Sequence, residues 1–153
     1  MNAQELRIGN LIQIELELGE REIAKVEELT LETGESNNQY YFLETNLLSN
    51  NSKWVDPIDF FEPIPLTEEW LLKFGFTKKR NLRGNKIDIS AFSWFINNQE
   101  FLELKKYHCG DYDEGQTFYP TINYCDANLI INYVHQLQNV YFALRNQELT
   151  IKQ

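Results

Sequence analysis

Residues 127–144 read ANLIINYVHQLQNVYFAL, 18 positions without an Asp, Glu, Lys or Arg, and the reading of this stretch decides the fold. Apolar residues at 129, 130, 133, 134, 137, 140, 141 and 144 recur at the spacing of one broad face of a 3.6-residue helix. The other face carries Asn128, Asn132, His135, Gln136, Gln138 and Asn139. Neutral groups of this kind can be covered by other elements without burying an ion, provided each finds a hydrogen bond. A largely covered central helix is expected over about 127–145, capped by Asp126 or Asn128 and ended by Asn146 in the left-handed region. Ile131 and Phe142 lie off the main stripe, on the side of His135. If that side is open it is a binding surface; if it is buried, the helix is architecture.

Working outward, residues 65–126 supply what such a helix would cover. Thr67 fits an N-cap, Glu68 and Glu69 sit in the first turn where the helix dipole favours carboxylates, and Leu66 can staple onto Leu71. Lys73 and Gly75 close this short helix, whose Trp70, Leu71 and Phe74 must dock to hold it. The segment TKKRNLRGNK reads as a hairpin or loop. Alternating residues at 86–92, continued by Phe95 and Ile96, then 100–107 and 118–124, predict a small antiparallel sheet. Glu148 to Lys152 would add an edge strand.

Upstream, Ile12, Ile14, Leu16 and Leu18 alternate with Gln13, Glu15 and Glu17, the pattern of a half-buried strand. Gly19 and Glu20 turn the chain into a second strand over 22–29, and short strands follow at 39–43 and 53–55 between Gly- and Asn-rich turns. This predicts a small barrel or meander. Pro57, Pro63 and Pro65 mark its stiff exit. The expected protein is therefore α+β: an all-β barrel-like module over 1–64, then an α+β module over 65–153 with a short helix and a small antiparallel sheet covered by the long C-terminal helix.

The net charge of −9 is unevenly spread. Residues 1–69 hold 15 acids and 4 bases, whereas residues 70–153 hold 8 acids and 10 bases. The acidic half repels nucleic-acid phosphate and favours a basic protein partner, beside its ordinary role in solubility. The 42% apolar content and high aromatic content exclude a disordered chain. No run approaches the roughly 20 apolar residues of a membrane span. With no secretory leader legible, the expected location is the cytoplasm, with Cys109 and Cys125 reduced.

Leu6-Arg7-Ile8-Gly9-Asn10, the run from Pro63 to Phe76 (PIPLTEEWLLKFGF) and the run from Tyr133 to Leu144 (YVHQLQNVYFAL) together resemble a family of small uncharacterised proteins from Bacteroidetes and their phage-like mobile elements, to which no activity is assigned. The resemblance implies a cytoplasmic, prophage-derived accessory protein and supplies no mechanism. Arg145-Asn146 stands where the family's pattern has a Thr-Gly helix end.

Candidate chemistry is sparse. His135 titrates near neutrality, but its helical neighbours are Ile131, Asn132, Gln138 and Asn139, none of which is an acid or a nucleophile for catalysis. His108, Cys109, Cys125 and His135 have zinc-binding atoms without zinc-site spacing. Asp111, Asp113 and Glu114 form an acidic turn that fails the EF-hand pattern at its fifth and twelfth positions. Lys78, Lys79, Arg80, Arg83 and Lys86 form a basic segment able to meet phosphate, flanked by Phe74, Phe76, Phe92 and Trp94, although the acidic pI of about 4.7 disfavours nucleic acid. No cofactor motif is present. The pattern points to a non-enzymatic protein-binding or adaptor module with no cofactor and no metal. Its candidate surface is Lys78, Lys79, Arg80, Arg83, Lys86, His135 and Phe142. A nucleic-acid-binding accessory using 78–86 is the first alternative, a metal- or His-dependent hydrolase the second.

Overall fold

The computed structural model of the chain describes residues 2–16, 19–33, 39–83, 86–96, 99–107, 119–122, 125–126 and 130–152, giving only the backbone course over 79–94 and 99–126. The protein is mixed α+β, mostly antiparallel sheet with a C-terminal helix. It divides into two compact units, one of Met1–Ile64 with Tyr133–Leu144, the other of Pro65–Asn132 with Arg145–Gln153.

In the first unit, β1 (Leu11–Glu15), β2 (Arg21–Thr33), β3 (Gln39–Leu47) and β4 (Lys53–Pro57) form consecutive antiparallel hairpins, and β5 (Phe61–Glu62) pairs with the other side of β1. The sheet order is β4-β3-β2-β1-β5. This is the expected meander; the described pairings do not join β4 to β5, so the described strands make an open sheet where a barrel was the other expectation. The expected turns at 19–20 and 49–52 form where the composition placed them, and the one at 34–38 lies outside the described residues. Gly19 (φ +77) and Asn51 (φ +59) occupy the left-handed region, which glycine and asparagine tolerate best. The period-2 pattern of β1 puts Ile12 and Ile14 into a core with Ala24, Val26, Leu43 and Leu47. A one-residue slip would turn all of them outward, so the pattern sets the register.

β2 runs 13 residues against five for β1. It pairs with β1 only over Arg21–Lys25, with Val26 extending the ladder by exchanging backbone hydrogen bonds with Gly9 and Asn10. A bulge at Glu27 then separates Val26 from Glu28. Beyond the bulge β2 pairs with β3 alone, and β4 in turn spans only Phe42–Asn46 of β3. The outer end of the sheet is a two-stranded ribbon of Leu31–Thr33 against Gln39–Tyr41.

In the second unit α1 (Glu68–Lys73) follows its local signals closely. Thr67 Oγ1 accepts from the Trp70 N–H at 3.4 Å, Gly75 takes φ +82 just past the helix, and its N–H reaches the Leu72 carbonyl. Trp70, Leu71 and Phe74 are buried. Then β6 (Phe76–Arg83), β7 (Lys86–Ile96), β8 (Gln99–Tyr107), β9 (Tyr119–Ile122) and β10 (Cys125–Asp126) form a second antiparallel meander in that order. Residues 148–152 are not a strand; Leu149 is buried, and the Lys152 N–H bonds to the Lys73 carbonyl.

α2 (Val134–Arg145) differs from expectation in length and in placement. Residues 130–133 are not helical. The Asn132 carbonyl accepts from the Leu66 N–H instead of from the next helical turn, and that diversion stops the helix growing backwards. The cap is Tyr133, whose N–H donates to Oε1 of Gln136 at 3.3 Å, the reach-back half of a capping box. The expected cap Asn128 lies outside the described residues, and Asp126 is in β10. Asn146 does end the helix in the left-handed region, at φ +52. The helix was expected over the second sheet; it belongs to the first unit, because its amide face is bonded to the N-terminal segment.

Candidate functional site

Two kinds of polar surface occur in the first unit, one closed and one open. The closed one lies between α2 and residues 5–11. Arg7 to Asn10 forms a turn, with the Asn10 N–H on the Arg7 carbonyl and Gly9 at φ +91, a conformation that requires glycine. Asn10, fully buried, accepts from the Arg7 N–H at 2.8 Å and donates to Oδ1 of Asn139 at 3.0 Å. Asn139 also accepts from the Arg7 guanidinium and donates to the Glu5 carbonyl at 2.7 Å. Gln138 accepts from the Leu11 N–H at 2.8 Å and donates to the Gly9 carbonyl at 3.3 Å. The uncharged face of α2 is thus spent on the backbone of the N-terminal turn. Loop carbonyls and N–H groups that would otherwise be orphaned find partners there.

His135 lies in this closed region at 1% exposure. Its ring stacks on Tyr133 at 5.7 Å between centroids, and Nε2 is 3.7 Å from Oε2 of Glu5. That distance is too long for a hydrogen bond, and neither ring nitrogen has one. Burial disfavours the imidazolium and holds the His135 pKa below its ordinary value; the Glu5 carboxylate opposes this and loses. Phe142 is half-buried under Arg7, whose guanidinium carbon stands 3.7 Å from the ring centroid, a cation–π contact. The His135 side of α2 therefore meets the buried alternative set out from its sequence, and His135 as a surface residue is corrected: the N-terminal turn that covers it is distant in sequence and invisible to helical periodicity.

Of the hairpin or loop expected for the basic segment, the structure has the hairpin. Lys78, Lys79, Arg80 and Arg83 belong to β6 and Lys86 begins β7, with Arg83 opposite Lys86 and a register shift between Arg80 and Leu82. The side chains of Lys79, Arg80, Arg83 and Lys86 lie outside the description. Lys78 is exposed and its ammonium group binds both carboxylate oxygens of Glu68, at 2.8 and 3.0 Å. His108, Cys109, Asp111, Asp113 and Glu114 also lie outside the described residues, as does the side chain of Cys125. Among the described residues no three His, Cys, Asp or Glu side chains gather as metal ligands, and no helix is long and apolar enough to cross a membrane.

The open surface is the outer half of the first sheet. The register places Glu28, Glu44 and Val55 in one row, Thr30, Phe42 and Pro57 in the next, and Glu32 with Tyr40 beyond. These rows share the face opposite the core, because the alternate positions Leu29 and Leu43 pack inward. Val55 is 61% exposed and Tyr40 49%. Among the described residues bordering this patch, Lys53 binds Glu44 and Lys25, in the same cross-strand row as Lys53, binds Glu27; the pairing with Glu44 raises the Lys53 pKa. Leu31, on the core-side face, is 46% exposed where the ribbon outruns the core. None of these positions was singled out in the sequence. The alternation Tyr40, Phe42, Glu44 against Tyr41, Leu43, Thr45 carries the signal, and it becomes legible only when β3 is continued through residue 47.

Comparison with protein-family models, with curated proteins and with solved structures gives no match.

Proposed function

We propose that the protein is a non-enzymatic binding module that takes a basic protein partner on the outer half of its first sheet. The supporting observation is that aromatic and aliphatic side chains, Tyr40, Phe42 and Val55, share one face with Glu28, Glu32 and Glu44, next to Lys25 and Lys53, each paired with a glutamate. Exposed aromatic surface supplies contact area at low entropic cost, and the unbalanced carboxylates select the sign of the partner and steer its approach. The accessory role implied by the family resemblance is compatible with such a module. Binding through the basic segment to nucleic acid gains no such support, since its one described side chain, Lys78, is engaged by Glu68.

The test uses the double variant Tyr40→Ala, Val55→Thr. Both sites are exposed, so thermal unfolding should move by only about a degree or two, in keeping with surface changes within roughly ±0.5 kcal/mol. Affinity-tagged wild-type chain should retain from host extract a protein with a basic surface, and the variant should lose at least tenfold of it. Equal retention by the two chains would sink the proposal.

A further inference from the structure

We infer that the partner binds by adding a strand to the free edge of β2 over residues 28–33, and that the added strand alternates basic and apolar residues. This rests on the basic-partner reading above and specifies its geometry. Beyond the bulge at Glu27, β2 pairs on one side with β3 and no described strand takes its other side. A strand edge is a row of backbone donors and acceptors, and proteins normally blunt such edges with lysine, proline or brevity. β4 is blunted in this way: it is five residues long, begins at Lys53 and ends at Pro57. The 28–33 edge, ELTLET, has neither lysine nor proline, and Glu28, Thr30, Leu31, Glu32 and Thr33 are exposed.

The side chains along this edge define the occupant. Glu28, Thr30 and Glu32 point to the open face, Leu29 and Leu31 to the other. In cross-strand pairing the incoming residues opposite Glu28 and Glu32 are best cationic, and those opposite Leu29 and Leu31 best aliphatic. A second copy of the chain is disfavoured, since antiparallel self-pairing would set these glutamates against each other, and like charges across a strand pair repel. The edge is thus closed to itself and open to a complementary strand, which is the β-addition mode of peptide recognition.

The probe is the end-blocked heptapeptide Lys-Val-Lys-Val-Lys-Val-Lys, titrated at low salt into the isotope-labelled full chain and followed by amide shifts. Its comparison peptide, Lys-Pro-Lys-Pro-Lys-Pro-Lys, has the same charge but cannot donate strand hydrogen bonds from its proline positions. The expected result is saturable binding of the first peptide with shifts concentrated at residues 28–33, and at least tenfold weaker binding of the second. The double variant Glu28→Lys, Glu32→Lys, verified as folded by its amide spectrum, should lose tenfold or more for the lysine–valine peptide and gain affinity for its glutamate–valine counterpart. If the two cationic peptides bind within twofold of each other, strand addition is wrong and the basic-partner reading survives. If neither binds at millimolar concentration, both fall.

Discussion

The two ends of the first sheet put their polar groups to opposite uses. At the inner end, Asn10, Gln138 and Asn139 are buried or half-buried and nearly every donor and acceptor among them closes on another part of the same unit. At the outer end, Glu32 and Tyr40 stand on the two-stranded ribbon and Glu28 on the three-stranded row beside it, all three exposed. The amide-rich end, conspicuous in the sequence for its lack of charge, is structural. The acidic outer end, which reads as an ordinary solvated strand, is the part proposed to meet another molecule. A polar group already satisfied internally has little to offer a ligand, whereas an exposed aromatic next to an unbalanced charge does.

The contrast breaks most readily at its inner side. Leu137 on α2 has no exposed surface, so Leu137→Ala should cost about 2–5 kcal/mol in chemical denaturation. Leu31→Ala, on the ribbon, should stay within about 1 kcal/mol, because only part of that side chain is removed from water. Equal losses would mean the ribbon belongs to the core. Next in size, Gln138→Leu keeps the volume but strands the Leu11 N–H and the Gly9 carbonyl, and should cost about 1–3 kcal/mol. A neutral outcome would show that water reaches this turn.

A third effect concerns acid. The folded-state pKa of His135 is lowered from 6.5 by burial, so the unfolded chain binds a proton more readily than the folded one. The stability that follows is fully present above pH 6.5 and declines as pH falls from there to the folded pKa, with no further loss from this group below it. Unfolding midpoints taken between pH 7.5 and 5 should show that decline in the wild type and a flatter profile in His135→Phe. Parallel profiles would remove His135 as its source. The smallest expected change is a gain. Thr45 is fully buried in the sheet with its hydroxyl unpartnered. Thr45→Val should therefore raise stability by about 1 kcal/mol, measurable as a higher unfolding midpoint, unless a bound water satisfies the hydroxyl.

Local chemistry carried much of the fold. The α1 cap at Thr67, its stop at Gly75, the left-handed terminator at Asn146, the turns at Gly19 and at 49–52, and most strands were legible because each depends on a few adjacent residues. The misreadings share a cause. The sequence leaves hairpin and loop undecided over TKKRNLRGNK because five bases in nine positions suppress any hydrophobic alternation, and only cross-strand pairing with β7 makes it a hairpin. The expected helix is too long at its N-terminal end because apolar spacing continues back through Ile130 and Leu129, while the backbone at Asn132 bonds elsewhere. Of the candidate surface, Phe142 and His135 were identified as one side of α2, but their cover could not be, since Arg7 and Glu5 lie some 130 positions away in the chain.

Alone, the sequence determined most of the secondary-structure inventory, the α+β class, the acidic bias of the N-terminal half and an uncharged helix built to be covered, all consequences of short-range pattern and composition. The tertiary structure decided what does the covering and what stays bare. It turned Leu6-Arg7-Ile8-Gly9-Asn10 into the clasp on α2, and it let β2 outrun β1 so that no described strand covers a carboxylate-lined edge. Both outcomes depend on strand register and on contacts between residues far apart in the chain, which no local pattern encodes.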